Sequence, residues 1–248
     1  MKLKSTLFYF ILFIASAGSK SALAQLKVSF PSKDGLTVVA DWYPVSSEMP
    51  VILLCHQNQS SRGEYVEIAL RLNKFGFNCL AIDQRVGTEV NGVKNETAEN
   101  ATAKGMQPVF EDTEQDIIAA IDYLYSLHEQ KLILLGSSYS ASLVLKISSS
   151  DARIKGVAVF SPGEYFSNKN YIKPEIEKLT KPIFISSSLA EADKVTELVQ
   201  DVNSRIKIQY VPKAAGEHGA KALWTTTEGH QEYWIALMNF LDKVKNLN

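Results

Sequence analysis

The stretch Leu132–Leu143, LILLGSSYSASL, joins an apolar run to a cluster of serines around one glycine. The apolar run is typical of a buried strand and ends at Gly136, and helical character begins near Tyr139. The pentapeptide Gly136–Ser140 has the form G-x-S-x-small, which is typical of a strained strand-to-helix turn with an exposed central serine. Ser138 stands at that centre and is therefore our candidate nucleophile.

This serine also has a purely structural interpretation. Serine is a preferred helix N-cap, so Ser138 taken alone can be explained as the cap of the following helix. A serine hydroxyl becomes a nucleophile only beside a base. The catalytic interpretation therefore requires a carboxylate and then a histidine later in the chain.

Strand-like and helix-like segments alternate on both sides of this turn. Strands are predicted at 26–30, 36–43, 51–55, 78–83, 131–135, 156–160, 182–186 and 206–211, and helices at 64–75, 112–127, 139–149, 191–202 and 231–245. The alternation predicts an α/β fold: a mostly parallel sheet with helices on both faces and an antiparallel N-terminal edge. Residues 86–110 are polar and lack periodicity, which indicates a lid, a binding loop or a mobile insert.

The first 24 residues have the pattern of an export signal. Two lysines precede the apolar stretch Leu7–Ala15, which is too short to span a bilayer, and Ser21–Ala24 offers a cleavage site of small residues. We expect an exported protein, periplasmic or secreted, whose mature chain forms one domain over 25–248. The alternative is an uncleaved N-terminal anchor.

Charge and composition argue against several other classes of protein. Cleavage after residue 24 would leave 23 basic and 27 acidic residues, a formal charge of −4, with no basic stripe, so we expect no nucleic-acid partner. Four scattered histidines and two cysteines do not form a metal-binding pattern, so we expect no metal and no cofactor. Cys55 and Cys79 lie in apolar runs, which favours buried free thiols, although an exported protein allows a disulfide bond.

Two histidines follow Ser138 and are candidates for the base. His218 lies in a loop after the last predicted strand, between two glycines, whereas His230 begins the last helix. A loop at the carboxyl end of a strand can reach a site at that edge of the sheet, so we favour His218. The acid should follow the strand 182–186, where Glu191 comes first and Asp193 would lie in the first turn of a helix.

Two backbone N–H groups are candidates for stabilising an oxyanion. One belongs to Tyr139, the residue after the candidate nucleophile. The other should come from HQNQSSR, the loop after the strand 51–55, where we prefer Asn58 and Gln57 is the alternative. His56 in the same loop is interpreted as a structural residue.

Together these motifs resemble the α/β-hydrolase superfamily, and within it the dienelactone-hydrolase-like group of exported esterases. The similar segments are LLCHQNQSSRGEY, AIDQRVG, GSSYSA, SPGEY and GEHGAKALW, and the resemblance covers nearly all of residues 25–248. Gln57 and Ser140 stand where most members carry glycine. The dienelactone hydrolases proper have a cysteine nucleophile where this chain has serine, so a lactone substrate is not implied.

The resemblance implies a serine hydrolase that cleaves a carboxylic ester, with Ser138 as nucleophile, Glu191 as acid and His218 as base. The same residues would serve an amidase or a transacylase, and an exported binding protein on a hydrolase fold is a further alternative. We expect a small ester or acyl substrate, with a small or polar acyl group. The sequence leaves the oligomeric state open.

Overall fold

The apolar runs of the sequence form one sheet of eight strands in the described residues, 25–247, of a computed structural model. The predicted export segment 1–24 lies outside the described residues. The spatial order is β1-β2-β4-β3-β5-β6-β7-β8. The strands are β1 (Leu26–Pro31), β2 (Thr37–Tyr43), β3 (Val51–Cys55), β4 (Asn78–Ile82), β5 (Leu132–Ser137), β6 (Ile154–Phe160), β7 (Ile183–Ser186) and β8 (Lys207–Tyr210). Strands β3 to β8 are parallel, whereas β2 runs antiparallel to both β1 and β4.

Helices cover both faces of this sheet. They are α1 (Val66–Lys74), α2 (Glu96–Ala103), α3 (Glu114–His128), α4 (Tyr139–Ser150), α5 (Lys173–Ile176), α6 (Ala192–Val199) and α7 (His230–Lys245). Apolar side chains of α3, α4 and α6 pack on one face, and those of α1 and α7 pack on the other. Alternate residues of β5 point into the two clusters, which explains its continuous apolar run. The predicted α/β-hydrolase architecture, with its antiparallel N-terminal edge, is confirmed.

The polar segment 86–110 is more ordered than its sequence pattern indicates. It contains α2, which begins at the cap Asn95 and packs against β2. The Val39 N–H donates to Thr97 Oγ1 at 2.9 Å, and Asn100 donates to the Thr37 carbonyl at 3.0 Å. The helix was missed because it buries only Thr97 and Ala101, which leaves almost no apolar periodicity.

The two cysteines are buried free thiols on opposite faces of the sheet. In the pairing of β3 with β4, Cys79 lies beside Ile52 and Cys55 lies beside Ile82. Their side chains belong to different apolar clusters. A disulfide bond needs Cβ atoms about 4 Å apart and directed towards each other, so the alternative of a bridge is excluded.

Buried arginines join the loops at the carboxyl edge of the sheet. Arg85 pairs with Asp116 and Asp34 at 2.7 Å each. Arg62 pairs with Asp83 and, at 3.0 Å, with Asp41. These contacts hold the connections around the site in place.

Among the described residues, none of the helices is long and apolar enough to span a membrane.

Candidate active site

Ser138 occupies a strained turn between β5 and α4. Its backbone has φ 58° and ψ −126°, a combination that residues with a side chain rarely adopt. A Cβ atom on Gly136 would lie 2.7 Å from the Ala141 Cα and from the Ser140 carbonyl oxygen, so only glycine fits there. Ser138 precedes the helix, but its side chain makes no capping hydrogen bond. Its hydroxyl is therefore available for another partner.

That partner is His218, and a continuous chain of hydrogen bonds runs from Ser138 to Glu191. The Ser138 Oγ lies 2.8 Å from the His218 Nε2, and the His218 Nδ1 lies 2.5 Å from the Glu191 Oε1. An ionised carboxylate only accepts hydrogen bonds, so the ring carries its proton on Nδ1. The His218 Nε2 can then accept the serine proton. The three residues follow β5, β8 and β7, whose carboxyl ends lie at one edge of the sheet.

The second carboxylate oxygen of Glu191 is also held. Its Oε2 accepts hydrogen bonds from Ser161 Oγ at 2.8 Å, Ser188 Oγ at 2.6 Å and the Ser188 N–H at 3.1 Å. Burial raises the pKa of Glu191, but hydrogen bonds from His218, Ser188 and Ser161 outweigh it and lower the pKa to about 2. Glu191 is therefore ionised at neutral pH and fixed in orientation.

The alternative candidates lie elsewhere. Asp193 is exposed in the first turn of α6, where the helix dipole accommodates its charge. His230 is the first residue of α7 and does not line the cavity at Ser138. The structure thus brings Ser138, Glu191 and His218 together and leaves these two residues outside the group.

Two serines that support Glu191 follow strand ends at this edge of the sheet, but the sequence assigned neither of them a role. Ser161 has φ 54°, and its buried hydroxyl donates to Glu191 and accepts the Gly219 N–H at 3.0 Å. It thereby joins the acid loop to the histidine loop, and its strained backbone has no sequence signal. Ser188 does have one, because Ser188 and Glu191 have the S-x-x-E spacing of a capping box, which the structure forms.

A cavity of about 270 Å³ opens directly at Ser138. Its lining residues are Gln57, Asn58, Phe110, Ser138, Tyr139, Tyr165 and His218. Phe110 stacks on Tyr139 with ring centroids 4.4 Å apart, and Tyr165 lies edge-on to His218 at 6.4 Å. A larger cavity of about 470 Å³ shares Tyr165 as a wall and reaches Glu191. Within residues 25–247, no group of three or more His, Cys, Asp or Glu side chains is arranged to hold a metal ion.

The candidate oxyanion donors lie at the same cavity. Asn58 and Tyr139 both line it, and the Tyr139 N–H lies at the N-terminus of α4. A helix N-terminus favours developing negative charge. The Gln57 N–H donates to Glu64 Oε2 at 3.0 Å, so it already has an acceptor.

Comparisons with solved structures agree with the fold. An esterase from Pyrococcus furiosus shares 16% sequence identity and a TM-score of 0.68, over 90% of this chain and 91% of that chain. A cold-adapted esterase from an Arctic intertidal metagenomic library shares 21% sequence identity and a TM-score of 0.62, over 89% of this chain and 92% of that chain. An acylaminoacyl peptidase from Pyrococcus horikoshii shares 16% sequence identity and a TM-score of 0.63, over 90% of this chain and 42% of that chain. At these identities the likeness demonstrates a shared fold.

The sequence itself matches a known family over most of its length. Residues 47–236 match the model described as serine aminopeptidase, S33. A search of curated protein sequences finds no match. The match names the wider hydrolase family and not the dienelactone-hydrolase-like group. The chain belongs to the serine aminopeptidase S33 family and is a serine hydrolase of the α/β-hydrolase superfamily.

Proposed function

We propose that this protein is an exported hydrolase that cleaves carboxylic esters of small acyl groups through an acyl-enzyme. Ser138 is the nucleophile, His218 the general base and Glu191 the acid that orients the imidazole. The observation that carries the proposal is the continuous hydrogen-bond chain from the Ser138 hydroxyl through His218 to an ionised Glu191. A binding protein would have no need of this arrangement at the floor of a cavity.

The proposed reaction has two halves. The His218 Nε2 takes the Ser138 proton as Oγ attacks the ester carbonyl, and the N–H groups of Tyr139 and Asn58 stabilise the oxyanion. The C–O bond then breaks, and the imidazolium returns its proton to the leaving alcohol. In the second half His218 takes a proton from water, which attacks the acyl carbonyl. The C–O bond to Ser138 then breaks, the imidazolium returns its proton to the Ser138 Oγ, and the acid leaves.

The size and lining of the cavity support a small acyl group. A volume of about 270 Å³ lies just below the usual range of about 300–1,000 Å³ for small-molecule sites, and the rings of Phe110 and Tyr165 form two of the cavity walls. We therefore assign acetyl to butyryl esters as the preferred class. The likeness to the exported dienelactone-hydrolase-like group is part of this proposal, without the lactone substrate.

A peptide substrate is the second candidate, because the family description names aminopeptidases. An aminopeptidase must bind the α-ammonium group of its substrate, for which a carboxylate is the usual partner. The cavity at Ser138 is lined by no carboxylate among the described residues. The lining next to Ser138 thus favours an ester, and a peptide would have to place its ammonium group in the adjoining larger cavity, which Glu164 and Glu197 line.

Active-site labelling tests the nucleophile. The purified mature protein is treated with a fluorophosphonate probe and mapped by peptide mass spectrometry, beside Ser138→Ala and the control Ser149→Ala on the same helix. We expect the label on Ser138 in the wild type and the control, and none in Ser138→Ala. Unlabelled but folded wild-type protein would instead support a binding protein.

A substrate panel then tests the reaction class. Acetyl, butyryl and octanoyl esters of p-nitrophenol are compared with alanyl-p-nitroanilide. Hydrolysis of the short esters with kcat/KM at least about tenfold above the octanoyl ester and the anilide supports the proposal. Preference for the anilide would favour the aminopeptidase.

Export is tested independently of activity. Strand β1 begins at Leu26, so cleavage after Ala24 would leave intact every strand and helix of the described residues. N-terminal sequencing of the protein from a periplasmic or culture fraction should begin at Gln25. A product in the membrane fraction that keeps Met1 would favour an anchor.

A further inference from the structure

Glu64 is a buried carboxyl group that the proposed mechanism does not use. It lies in the 3-10 turn Arg62–Tyr65 before α1 and is fully buried. Its Oε2 accepts the Gln57 N–H at 3.0 Å, and its Oε1 makes no hydrogen bond within the described residues. Burial raises its pKa. A buried carboxyl group is costly unless hydrogen bonds compensate for the lost water, and the hydrogen-bond partner of Glu64 is the N–H of Gln57, a residue of the cavity lining.

His56 is also buried, and it too contacts the backbone of Gln57. The Gln84 N–H donates to its Nε2 at 3.0 Å, and a backbone N–H only donates, so Nε2 carries no proton. The proton is therefore on Nδ1, which donates to the Gln57 carbonyl at 2.7 Å. Burial lowers the pKa of His56 to about 4, which keeps the ring neutral at physiological pH.

The hydrogen bonds to Glu64 and from His56 fix the two polar backbone groups of Gln57, its N–H and its carbonyl. Glu64 holds its N–H, and His56 holds its carbonyl. A trans peptide is planar, with the carbonyl and the next N–H pointing in opposite directions. The Asn58 N–H therefore points away from the buried imidazole, and it has no acceptor among the described residues.

The nucleophile turn is tied to the same loop. Ser140 stands at the position where the related enzymes carry glycine, and its Oγ donates to the His56 carbonyl at 2.5 Å. The Gln84 side chain also contacts the Ser140 Oγ at 2.7 Å. The two residues that depart from the glycine pattern, Gln57 and Ser140, thus belong to one buried network that joins the two sides of the oxyanion site.

We propose that Glu64 and His56 are positioning residues that present the Asn58 N–H to the oxyanion and withdraw the Gln57 N–H from it. This inference rests on the proposed function, because it explains how the second oxyanion donor of that reaction is held in position. Glu64 and His56 touch no substrate and act through the peptide between Gln57 and Asn58.

Substitutions at Glu64 test the positioning. Glu64→Leu removes the acceptor at similar size, whereas Glu64→Gln keeps an oxygen that accepts the Gln57 N–H. With p-nitrophenyl acetate we expect Glu64→Leu to lower kcat by about 10²-fold with KM within about threefold, as for loss of one oxyanion donor. Glu64→Gln should keep kcat within about fivefold of wild type, and the neighbouring control Glu67→Leu should not alter it. Unchanged kcat in folded Glu64→Leu would overturn the inference.

A spectroscopic measurement on unmutated protein covers the case in which Glu64→Leu does not fold. In the fluorophosphonate adduct a phosphonyl oxygen occupies the position of the oxyanion. We expect adduct formation to shift the ¹H–¹⁵N resonances of Asn58 and Tyr139 and to leave that of Gln57 in place. A shift at Gln57 instead of Asn58 would refute the positioning role alone, whereas failure to form an adduct would refute the proposed function.

Discussion

At the scale of single residues, Glu191 is the ionised group of the site, and its neighbours hold it in one orientation. Four hydrogen bonds converge on its two oxygens from His218, Ser161 and Ser188. Its pKa falls from 4.5 to about 2 on folding. Because the folded-state pKa is depressed, the stabilisation is fully present above about pH 4.5 and is lost as the pH falls towards 2.

Glu191 and Asp193 make a matched pair for substitution. In Glu191→Gln the amide cannot hold the Nδ1-protonated form of His218 as an ionised carboxylate does, so we expect kcat to fall by about 10⁴-fold, as for the equivalent change in other serine hydrolases. Asp193→Asn should leave kcat unchanged, since that side chain is exposed. Steady-state hydrolysis of p-nitrophenyl acetate measures both variants. The reverse pattern would assign the acid to Asp193.

The imidazole of His56 should remain neutral far below its usual pKa of 6.5. Long-range ¹H–¹⁵N spectra should show a proton on Nδ1 and no titration between pH 8 and 5. The unfolded chain takes up a proton on this ring below about pH 6.5, whereas the folded chain does so only near pH 4. This residue therefore makes the free energy of unfolding decrease as the pH falls from 6.5 to 4. A midpoint near 6.5 would contradict its burial and its two hydrogen bonds.

At the scale of elements, segment 86–110 packs on β2 through its helix and reaches the cavity at Ser138 with its last residue. Its helix α2 is bonded to β2, and Phe110 at its C-terminal end stacks on Tyr139. The ring thus reaches the site from a segment anchored on β2, which is separated from β5 by β4 and β3. Its position makes the end of this segment a wall of the cavity at Ser138.

Phe110→Ala should widen that pocket. We expect the ratio of kcat/KM for octanoyl over acetyl p-nitrophenyl ester to rise by about tenfold, because removal of the ring creates room for a longer chain. Val109→Ala is the control, since Val109 is 53% exposed and is not part of the cavity wall. An unchanged ratio in Phe110→Ala would show that the acyl chain lies elsewhere.

At the scale of the whole molecule, the parallel sheet gathers residues that are far apart in the chain. Ser138 and His218 are 80 residues apart, yet their side chains are hydrogen-bonded because β5 and β8 end at the same edge. The ion pairs of Arg62 and Arg85 hold the loops of that edge together. The site is therefore a property of the complete fold and of no single segment.

The separation of the thiols across the sheet predicts a fold that does not depend on redox conditions. Addition of dithiothreitol should leave the melting temperature unchanged, because Cys55 and Cys79 face opposite apolar clusters. Alkylation of the denatured, unreduced protein should add two groups by mass spectrometry. No added group would indicate a disulfide bond between the two cysteines, and therefore a different pairing of β3 with β4.

The sequence was sufficient for the strands, most helices and the candidates Ser138, Glu191 and His218. The apolar runs are long, the turn at Gly136 has local steric requirements, and chain order restricts the acid and the base. Helix α2 was missed because a short helix with two buried residues has no strong period. The short helix α5, four residues long, was missed for the same reason of length.

By itself the sequence determined the strands, most of the helices and the strand-to-helix turn that carries Ser138, because those properties depend on neighbouring residues. Only the tertiary structure decided that Ser161 donates a hydrogen bond to Glu191, that the cysteines lie on opposite faces of the sheet, and that Glu64 accepts the Gln57 N–H. The contacts of Ser161 and Glu64 are hydrogen bonds between different segments, and the placement of the cysteines depends on the pairing of β3 with β4. Such contacts have no period and no fixed spacing, so only the folded arrangement of the sheet and its loops reveals them.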